Sequence, residues 1–266
     1  MLKLTHENYH SLEADRQYMS VSLLKSFLPQ YGGCEAKAMA KLRGEYKEPS
    51  NDAFLLGSYV HAWNEGANLG QFQSEHPEMF KKNGEMLQKF EIGNRMIKTL
   101  ADDELVSQVR KGQKEVIMTV NNLFGAPWKA MIDIYNPEMK SFADLKTTRE
   151  IHMKYWNEED RCKKNFIETY GYDIQMAVYA EIIRLNTEMT DYMFPHIIAV
   201  SKEDPPDKAV IKMGTEFINE TLLMVQDWME RVADVWQGKA EPQRCEICDY
   251  CRSTKKLDKI IFYTDI

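Results

Sequence analysis

Three strand-like segments follow one another between residues 115 and 148, and this succession constrains the fold more than any other feature. The segments "EVIMTV" (115–120), "PWKAMIDIY" (127–135) and "SFADLKTT" (141–148) are rich in branched and aromatic residues. Short turn-like loops separate them, which predicts an antiparallel meander. Helical patterns occur on both sides of the meander, so we expect an α/β protein.

Further helices and strands surround this meander. Helical spacing of apolar residues predicts two short helices within 19–47 and longer ones over 53–68, about 85–100, 172–186 and 214–237. Two more strand-like segments, "YMFPHIIAV" and "KAVIKM", lie between the last two helices. The order of elements predicts a mixed central sheet flanked by helices.

The chain is long enough to bury one large core, and we expect a single domain over residues 1–266. Within it, residues 19–110 would form N-terminal helices that carry His61. Residues 111–213 would form the catalytic sheet and helix, and residues 214–266 a long helix and a cysteine-rich tail.

Charge and hydropathy exclude some classes of protein. No apolar run approaches the ~20 residues that a membrane span requires, and the N-terminus has no signal-peptide pattern. We therefore expect a soluble protein of the bacterial cytoplasm. The net charge of −7 argues against a chain that coats nucleic acid, although an enzyme that binds DNA locally remains compatible with it.

Acidic residues and a lysine share the meander. Asp144 and Lys146 lie two residues apart on a strand and so face the same side of the sheet. An antiparallel neighbour can place Asp133 beside them. Carboxylates in such a position suit a hard divalent cation such as Mg²⁺ or Mn²⁺, and the lysine could orient a water or neutralise a phosphate oxygen. Taken alone, this motif is also compatible with a surface ion pair on an edge strand.

Other polar residues are spaced so that they could join this group. His61 lies on a predicted helix before the sheet, within "GSYVHAWNEG". Gln175 and Tyr179 lie four residues apart, on one face of the helix after it. Each of these three residues could by itself be an ordinary packing residue. A functional interpretation therefore depends on their order along the chain.

That order resembles the PD-(D/E)XK nuclease superfamily. The series is G-x-x-x-H (57–61), then Asp133, then D-L-K (144–146), then Q-x-x-x-Y (175–179). The similarity is greatest to the RecE-type (exonuclease VIII-like) exonucleases of phages and prophages, and to RecB- and AddB-type nuclease domains. It covers about residues 20 to 255 and implies a restriction-endonuclease-like core.

The resemblance also implies roles for particular residues. It implies a Mg²⁺ or Mn²⁺ site formed by His61, Asp133, Asp144 and the carbonyl of Leu145. It implies that Lys146 positions the attacking water, and that Gln175 and Tyr179 support the site and touch the DNA backbone. Glu115 falls where some members carry a further acidic residue on the first strand.

Three cysteines form C-x2-C-x2-C near the end of the chain, and in a cytosolic protein such clusters indicate metal binding. Three thiolates leave a four-coordinate site incomplete, and Cys34 is the candidate for the fourth ligand, as in the iron–sulfur nucleases of the RecB and AddB kind. A [4Fe–4S] cluster is favoured over Zn²⁺, with a structural role, and inert cysteines are the third possibility. The predicted ligands are Cys34, Cys245, Cys248 and Cys251, with Cys162 left unpaired.

Residues 149–164 combine cations with aromatic side chains, among them Lys163, Lys164 and Trp156. This composition suits an arch over DNA, in which aromatic rings stack on unpaired bases and cations meet phosphates. Acidic residues in the same stretch make an ordinary solvated helix face an equal alternative.

The resemblance implies a Mg²⁺-dependent exonuclease that degrades linear double-stranded DNA from 5′ ends. The 3′ single-stranded tail would pass to a single-strand annealing protein during recombination, and a homo-oligomeric ring would supply processivity. One alternative is a RecB-like or CRISPR-adaptation nuclease that acts on single strands or flaps. Another is a non-catalytic module that binds DNA ends and is held together by its metal.

Overall fold

A computed structural model of the protein describes residues 1–266 except 50, 68, 159, 188, 258, 259, 261 and 266. The strands are β1 (Gln113–Leu123), β2 (Ala126–Asn136), β3 (Ser141–Thr148), β4 (Tyr155–Asn157), β5 (Cys162–Lys164), β6 (Phe194–Ser201) and β7 (Lys208–Lys212). Five of them form a central sheet in the order β1-β2-β3-β6-β7. The β3–β6 pair is parallel and the other pairs are antiparallel, which confirms the predicted mixed sheet.

The α-helices are α1 (Leu12–Gln17), α2 (Val21–Phe27), α3 (Glu35–Arg43), α4 (Asp52–Glu65), α5 (Leu69–Glu75), α6 (Ile92–Ala101), α7 (Glu104–Val109), α8 (Phe166–Thr169), α9 (Tyr172–Asn186), α10 (Glu216–Trp236) and α11 (Asp249–Ser253). Short 3-10 turns occur at Pro29–Tyr31, Pro77–Met79, Gln88–Phe90 and Tyr263–Asp265. No described helix is both long and apolar enough to span a bilayer.

Helices cover both faces of the central sheet, as the sequence predicts. On one face α9 packs against β1, β2 and β6, with α10 behind it and α2 beside it. On the other face α4 and α6 pack against the sheet. Successive residues of β6 alternate between the two cores, with Ile197 in the first and Ile198 in the second. A strand buried on both faces accounts for the continuous apolar run in this part of the sequence.

Two local features position the helices that border the site. Ser20 caps α2 by accepting a hydrogen bond from the Leu23 amide, as predicted from the sequence. Gly171 precedes α9 with φ 61°, a left-handed conformation that favours glycine. A Cβ atom there would also lie 3.0 Å from the ring of Tyr31 and 3.1 Å from the stem of Lys25. Gly171 thus lets α9 begin close against α2.

The segment predicted as a DNA arch or a solvated helix face forms neither a helix nor part of the central sheet. Its residues pair in a separate antiparallel hairpin, β4–β5, in which Trp156 lies opposite Lys163. The Tyr155 ring packs edge-on against Tyr170. This contact anchors the hairpin to the start of α9, and three-residue strands leave too short a pattern to be recognised in the sequence.

Candidate functional site

The two aspartates meet where β2 and β3 diverge. The β2–β3 ladder ends at the pair Ile134–Ala143, and Asp133 and Asp144 are the next residues on the two strands. The Leu145 amide donates to Oδ2 of Asp133 at 2.8 Å, so this carboxylate accepts the bond that a backbone carbonyl would accept in a continued ladder. Both aspartates are buried, with 7% and 1% of their surface exposed. Leu145, expected to offer its carbonyl, contacts Asp133 through its amide.

Asp144 is held by two side chains that the sequence analysis selected. The Lys146 ammonium lies 2.6 Å from Asp144 Oδ2, and the Gln175 amide donates to Oδ1 at 2.6 Å. Burial lowers the pKa of Lys146, but the carboxylates of Asp144 and Asp133 outweigh it, so the net shift is upward. Lys146 therefore stays charged and is the cation nearest to the two aspartates.

Asp133 is next to the predicted histidine. Nδ1 of His61, on α4, lies 3.4 Å from Asp133 Oδ2. Burial and the neighbouring Asp144 carboxylate raise the pKa of Asp133 to about 6, against the opposing effects of His61 and Lys146. Helix α4 and strands β2 and β3 thus bring His61 and both aspartates together.

Glu115 extends the acidic row to a third strand. Its neighbours Lys114 and Val116 pair with Ile134 and Ile132, which places Glu115 opposite Asp133. Glu115 is 7% exposed, has φ 50°, and its Oε1 has no hydrogen-bond partner among the described residues. Burial, with the charge of Asp133 next in effect, raises the pKa of Glu115 to about 8.

These residues fit a divalent cation. Three buried carboxylates form a row across adjacent strands, and two of their oxygens, Glu115 Oε1 and Asp144 Oδ2, have no hydrogen-bond partner among the described residues. The Lys146 ammonium and the partly exposed His61 imidazole lie next to the two aspartates. Burying more carboxylates than cations is unfavourable unless a counter-charge binds, and carboxylate oxygen is the ligand that Mg²⁺ prefers.

Helix α9 contributes one residue more than expected. Tyr172, Gln175 and Tyr179 occur at i, i+3 and i+7, which places them on one helix face. The Lys146 ammonium lies 4.7 Å from the centre of the Tyr172 ring, a cation–π distance. Tyr179 is half-buried, and burial raises the pKa of its phenol far above the usual range. The helical period could have identified Tyr172.

Two other residues near the site went unrecognised in the sequence. Lys25, on α2, lies 5.5 Å from the centre of the same Tyr172 ring. Tyr9 is buried close enough to Asp133 and Glu115 for their charges to raise its pKa, in addition to the larger effect of burial. No local pattern connects either residue to a sheet that begins about a hundred residues later.

The four predicted cysteine ligands converge. Among the described residues, the sulfurs of Cys34, Cys245, Cys248 and Cys251 form one group in which all atoms lie within 4.8 Å of one another. Cys251 Sγ is 3.6 Å from Cys34 Sγ and 3.9 Å from Cys245 Sγ. Backbone amides of Cys248 and Cys251 donate to the sulfurs of Cys245 and Cys248. Cys162 is exposed on β5 and outside this group.

The sulfur spacing can be compared with the dimensions of the two candidate cofactors. Four sulfurs bound to one zinc at ~2.3 Å in a tetrahedron lie about 3.8 Å apart. In a [4Fe–4S] cluster each cysteine binds a different iron, which separates the sulfurs by about 6 Å. Distances of 3.6 and 3.9 Å agree with the single ion. The donor set fits a metal centre.

Comparisons with known proteins identify the family and a solved relative of this chain. A crystal structure of a protein from Eubacterium rectale, described as "Putative exonuclease", superposes with a TM-score of 0.93. It is 39% identical, and the match covers 100% of this chain and 98% of that one. No protein with a curated description matches. A family model described as "PDDEXK-like domain of unknown function (DUF3799)" matches residues 20–254. The chain therefore belongs to this family of PDDEXK-like domains.

Proposed function

We propose that this chain is a divalent-metal-dependent deoxyribonuclease that hydrolyses phosphodiester bonds in linear double-stranded DNA. The observation that carries the proposal is the buried pair Asp133 and Asp144, with Lys146 at 2.6 Å from the second carboxylate. Membership of a PDDEXK-like family and similarity to a protein described as an exonuclease support a nuclease.

The residues that would hold Mg²⁺ or Mn²⁺ are Asp133, Asp144, Glu115, His61 and the Leu145 carbonyl. When bound, the ion supplies Lewis-acid chemistry, which favours ionisation of water and stabilises charge on the phosphate. The Lys146 ammonium donates a hydrogen bond to the attacking water or to a phosphate oxygen. Gln175 fixes the orientation of Asp144, and the Tyr172 ring holds the Lys146 ammonium in place.

The finer properties of the activity rest on the resemblance to RecE-type exonucleases. We propose digestion from 5′ ends that leaves 3′ single-stranded tails, by a homo-oligomer acting with a single-strand annealing protein in the cytoplasm of a bacterial host. A phage or prophage origin belongs to the same proposal.

The experiment that tests the activity is digestion of linear duplex DNA labelled at either the 5′ or the 3′ end, with Mg²⁺. The comparison variants are Asp144→Ala and a control, Asp102→Ala, whose carboxylate pairs with Lys98 on the surface of α6. We expect early release of the 5′ label by the parent and the control, and none by Asp144→Ala.

Other outcomes separate the alternatives. Activity confined to single strands or flaps would favour the RecB-like alternative. No activity on any DNA, together with no Mn²⁺ binding by calorimetry, would contradict the nuclease and leave a module that binds DNA ends.

For the cysteines we propose a single tetrahedral Zn²⁺ with a structural role. Cys34 begins α3, and the other three ligands lie at or next to α11, so the ion would join the two ends of the fold. The test is metal analysis of protein purified without oxygen. One zinc per chain and no absorption near 400 nm would agree, whereas four irons per chain would restore the [4Fe–4S] assignment.

A further inference from the structure

A positively lined cleft lies beside the candidate active site, between α2 and α3. It has a volume of about 260 Å³, and its lining includes Ser22, Lys25, Ser26, Lys37, Lys41 and Glu48. Three ammonium groups and one carboxylate leave the lining with a net positive charge. On a chain whose net charge is −7, such a concentration is unusual and favours an anionic ligand. We call it the lysine cleft.

Lys25 is the residue of the lysine cleft that most needs an anion. It is half-buried, and among the described residues its ammonium has no carboxylate within ion-pair distance. Its ammonium donates to the Tyr170 carbonyl at 2.8 Å and faces the Tyr172 ring. Burial and the neighbouring charge of Lys146 lower the pKa of Lys25 to about 8. The charges of Asp144 and Asp173 oppose this shift only in part, so an anion bound directly to the Lys25 ammonium would stabilise it further.

The carboxylate of Glu48 shows the kind of anionic group that Lys37 and Lys41 bind. One carboxylate oxygen lies 3.2 Å from the Lys37 ammonium, and the other lies 2.6 Å from the Lys41 ammonium. A phosphate presents two oxygens at a similar separation and carries the same sign of charge. Glu48 lies in the loop that joins α3 to α4, and about half of its side chain is exposed, so it can be displaced.

The lysine cleft is directly connected to the catalytic residues. Lys25 and Lys146 contact the same ring, with their ammonium nitrogens 5.5 and 4.7 Å from the centre of Tyr172. A strand whose phosphate is at Lys146 therefore has a neighbouring phosphate within reach of Lys25.

We propose that the lysine cleft binds a phosphate of the DNA strand under attack, and that Glu48 occupies it in the free protein. This proposal rests on the proposed function only in taking DNA as the ligand. Binding exchanges the Glu48 carboxylate for a phosphate on Lys37 and Lys41 and gives Lys25 the anion that it lacks. The cleft thus adds a second phosphate contact to the one at the active site.

The test is equilibrium binding of a 20-base-pair duplex to the full chain, followed by fluorescence anisotropy over a range of NaCl concentrations. Ca²⁺ replaces Mg²⁺ to suppress cleavage. We expect Lys25→Met to weaken binding about tenfold and to reduce the slope of log K against log salt by about one. We expect Glu48→Gln to strengthen binding about three- to tenfold, because the competitor is removed.

The matched control is Glu45→Gln, which removes the same charge from the same loop. Glu45 pairs with Arg43 instead of the lysine cleft, so binding should change less than twofold. In a Lys37→Met, Lys41→Met background the gain from Glu48→Gln should disappear. If Glu45→Gln and Glu48→Gln strengthen DNA binding equally, the change in affinity follows from the net charge of the protein alone, and the proposal is wrong.

Two duplexes, with a 5′-phosphate or a 5′-hydroxyl, identify the source of the phosphate. If Lys25→Met weakens binding only of the duplex with a 5′-phosphate, the lysine cleft binds a terminal phosphate. If it weakens binding of both duplexes equally, the cleft binds an internal phosphodiester. If the parent cleaves DNA but Lys25→Met and Glu48→Gln both bind DNA as the parent does, the proposed role of the lysine cleft is wrong and the proposed nuclease activity is unaffected. If the variants change DNA binding as expected but the parent cleaves no DNA, the proposed role of the lysine cleft stands and the proposed nuclease activity is wrong.

Discussion

Replacing Gln175 with leucine removes a single hydrogen bond from the centre of the candidate site while keeping most of the side-chain volume. The lost bond is the 2.6 Å contact from the Gln175 amide to Oδ1 of Asp144, a carboxylate that is 1% exposed. A hydrogen bond to a charged group contributes about 1.5–3 kcal/mol. If it acts fully on the transition state, at about 1.4 kcal/mol for each factor of ten, kcat should fall by about 10- to 150-fold.

The assay is steady-state digestion of linear duplex DNA at saturating Mg²⁺, with kcat and KM determined separately. We expect KM to change less than threefold, because in this structure Gln175 acts through Asp144. Gln175→Glu should be worse than Gln175→Leu, since it places a second carboxylate against Asp144. The control is Gln237→Leu, which removes an amide that bonds the Gly125 carbonyl far from the site. A Gln175→Leu enzyme with kcat within twofold of the parent would refute this reasoning, and a loss confined to KM would assign Gln175 to DNA contact.

Three further predictions concern other parts of the molecule. Lys129 is 2% exposed and pairs with Asp15 at 2.7 Å. Asp15→Ala should therefore lower the free energy of unfolding by about 2–4 kcal/mol, whereas Lys129→Met should leave it nearly unchanged. Equal losses of stability in urea titrations of the two variants would contradict this. Cys34→Ser should reduce both the metal content and the melting temperature, whereas Cys162→Ser should change neither quantity. Full metal occupancy in Cys34→Ser would exclude Cys34 as a ligand. Lys163→Ala should reduce the salt slope of DNA binding by about one; an unchanged slope would remove the β4–β5 hairpin from the DNA interface.

Much of the fold is encoded in local periodicity and could be predicted. The helix expected over 172–186 and the strand expected over 141–148 coincide with α9 and β3. Helices α5 and α7 were missed because they have seven and six residues, too few for a period to stand out. Likewise, the helix predicted from about residue 85 begins at Ile92, after a 3-10 turn.

The same distinction applies to the candidate site. Asp144 with Lys146, and Gln175 with Tyr179, are spaced by the period of a strand and of a helix, so their common faces follow from the sequence. Lys25 reaches the site through the packing of α2 against α9, which no local pattern specifies. Cys34 likewise meets the other three cysteines through the packing of α3 against α11, which tertiary structure sets.

The cysteine centre also has a consequence for the order of folding. Cys34 is more than two hundred residues away from the other three cysteines, which lie beyond residue 244, so a metal bound by all four would close a loop of that length. Contacts of such high sequence separation form late, because the intervening chain must first be arranged. Capture of an ion by all four sulfurs would then mark a chain in which α3 and α11 have already come together.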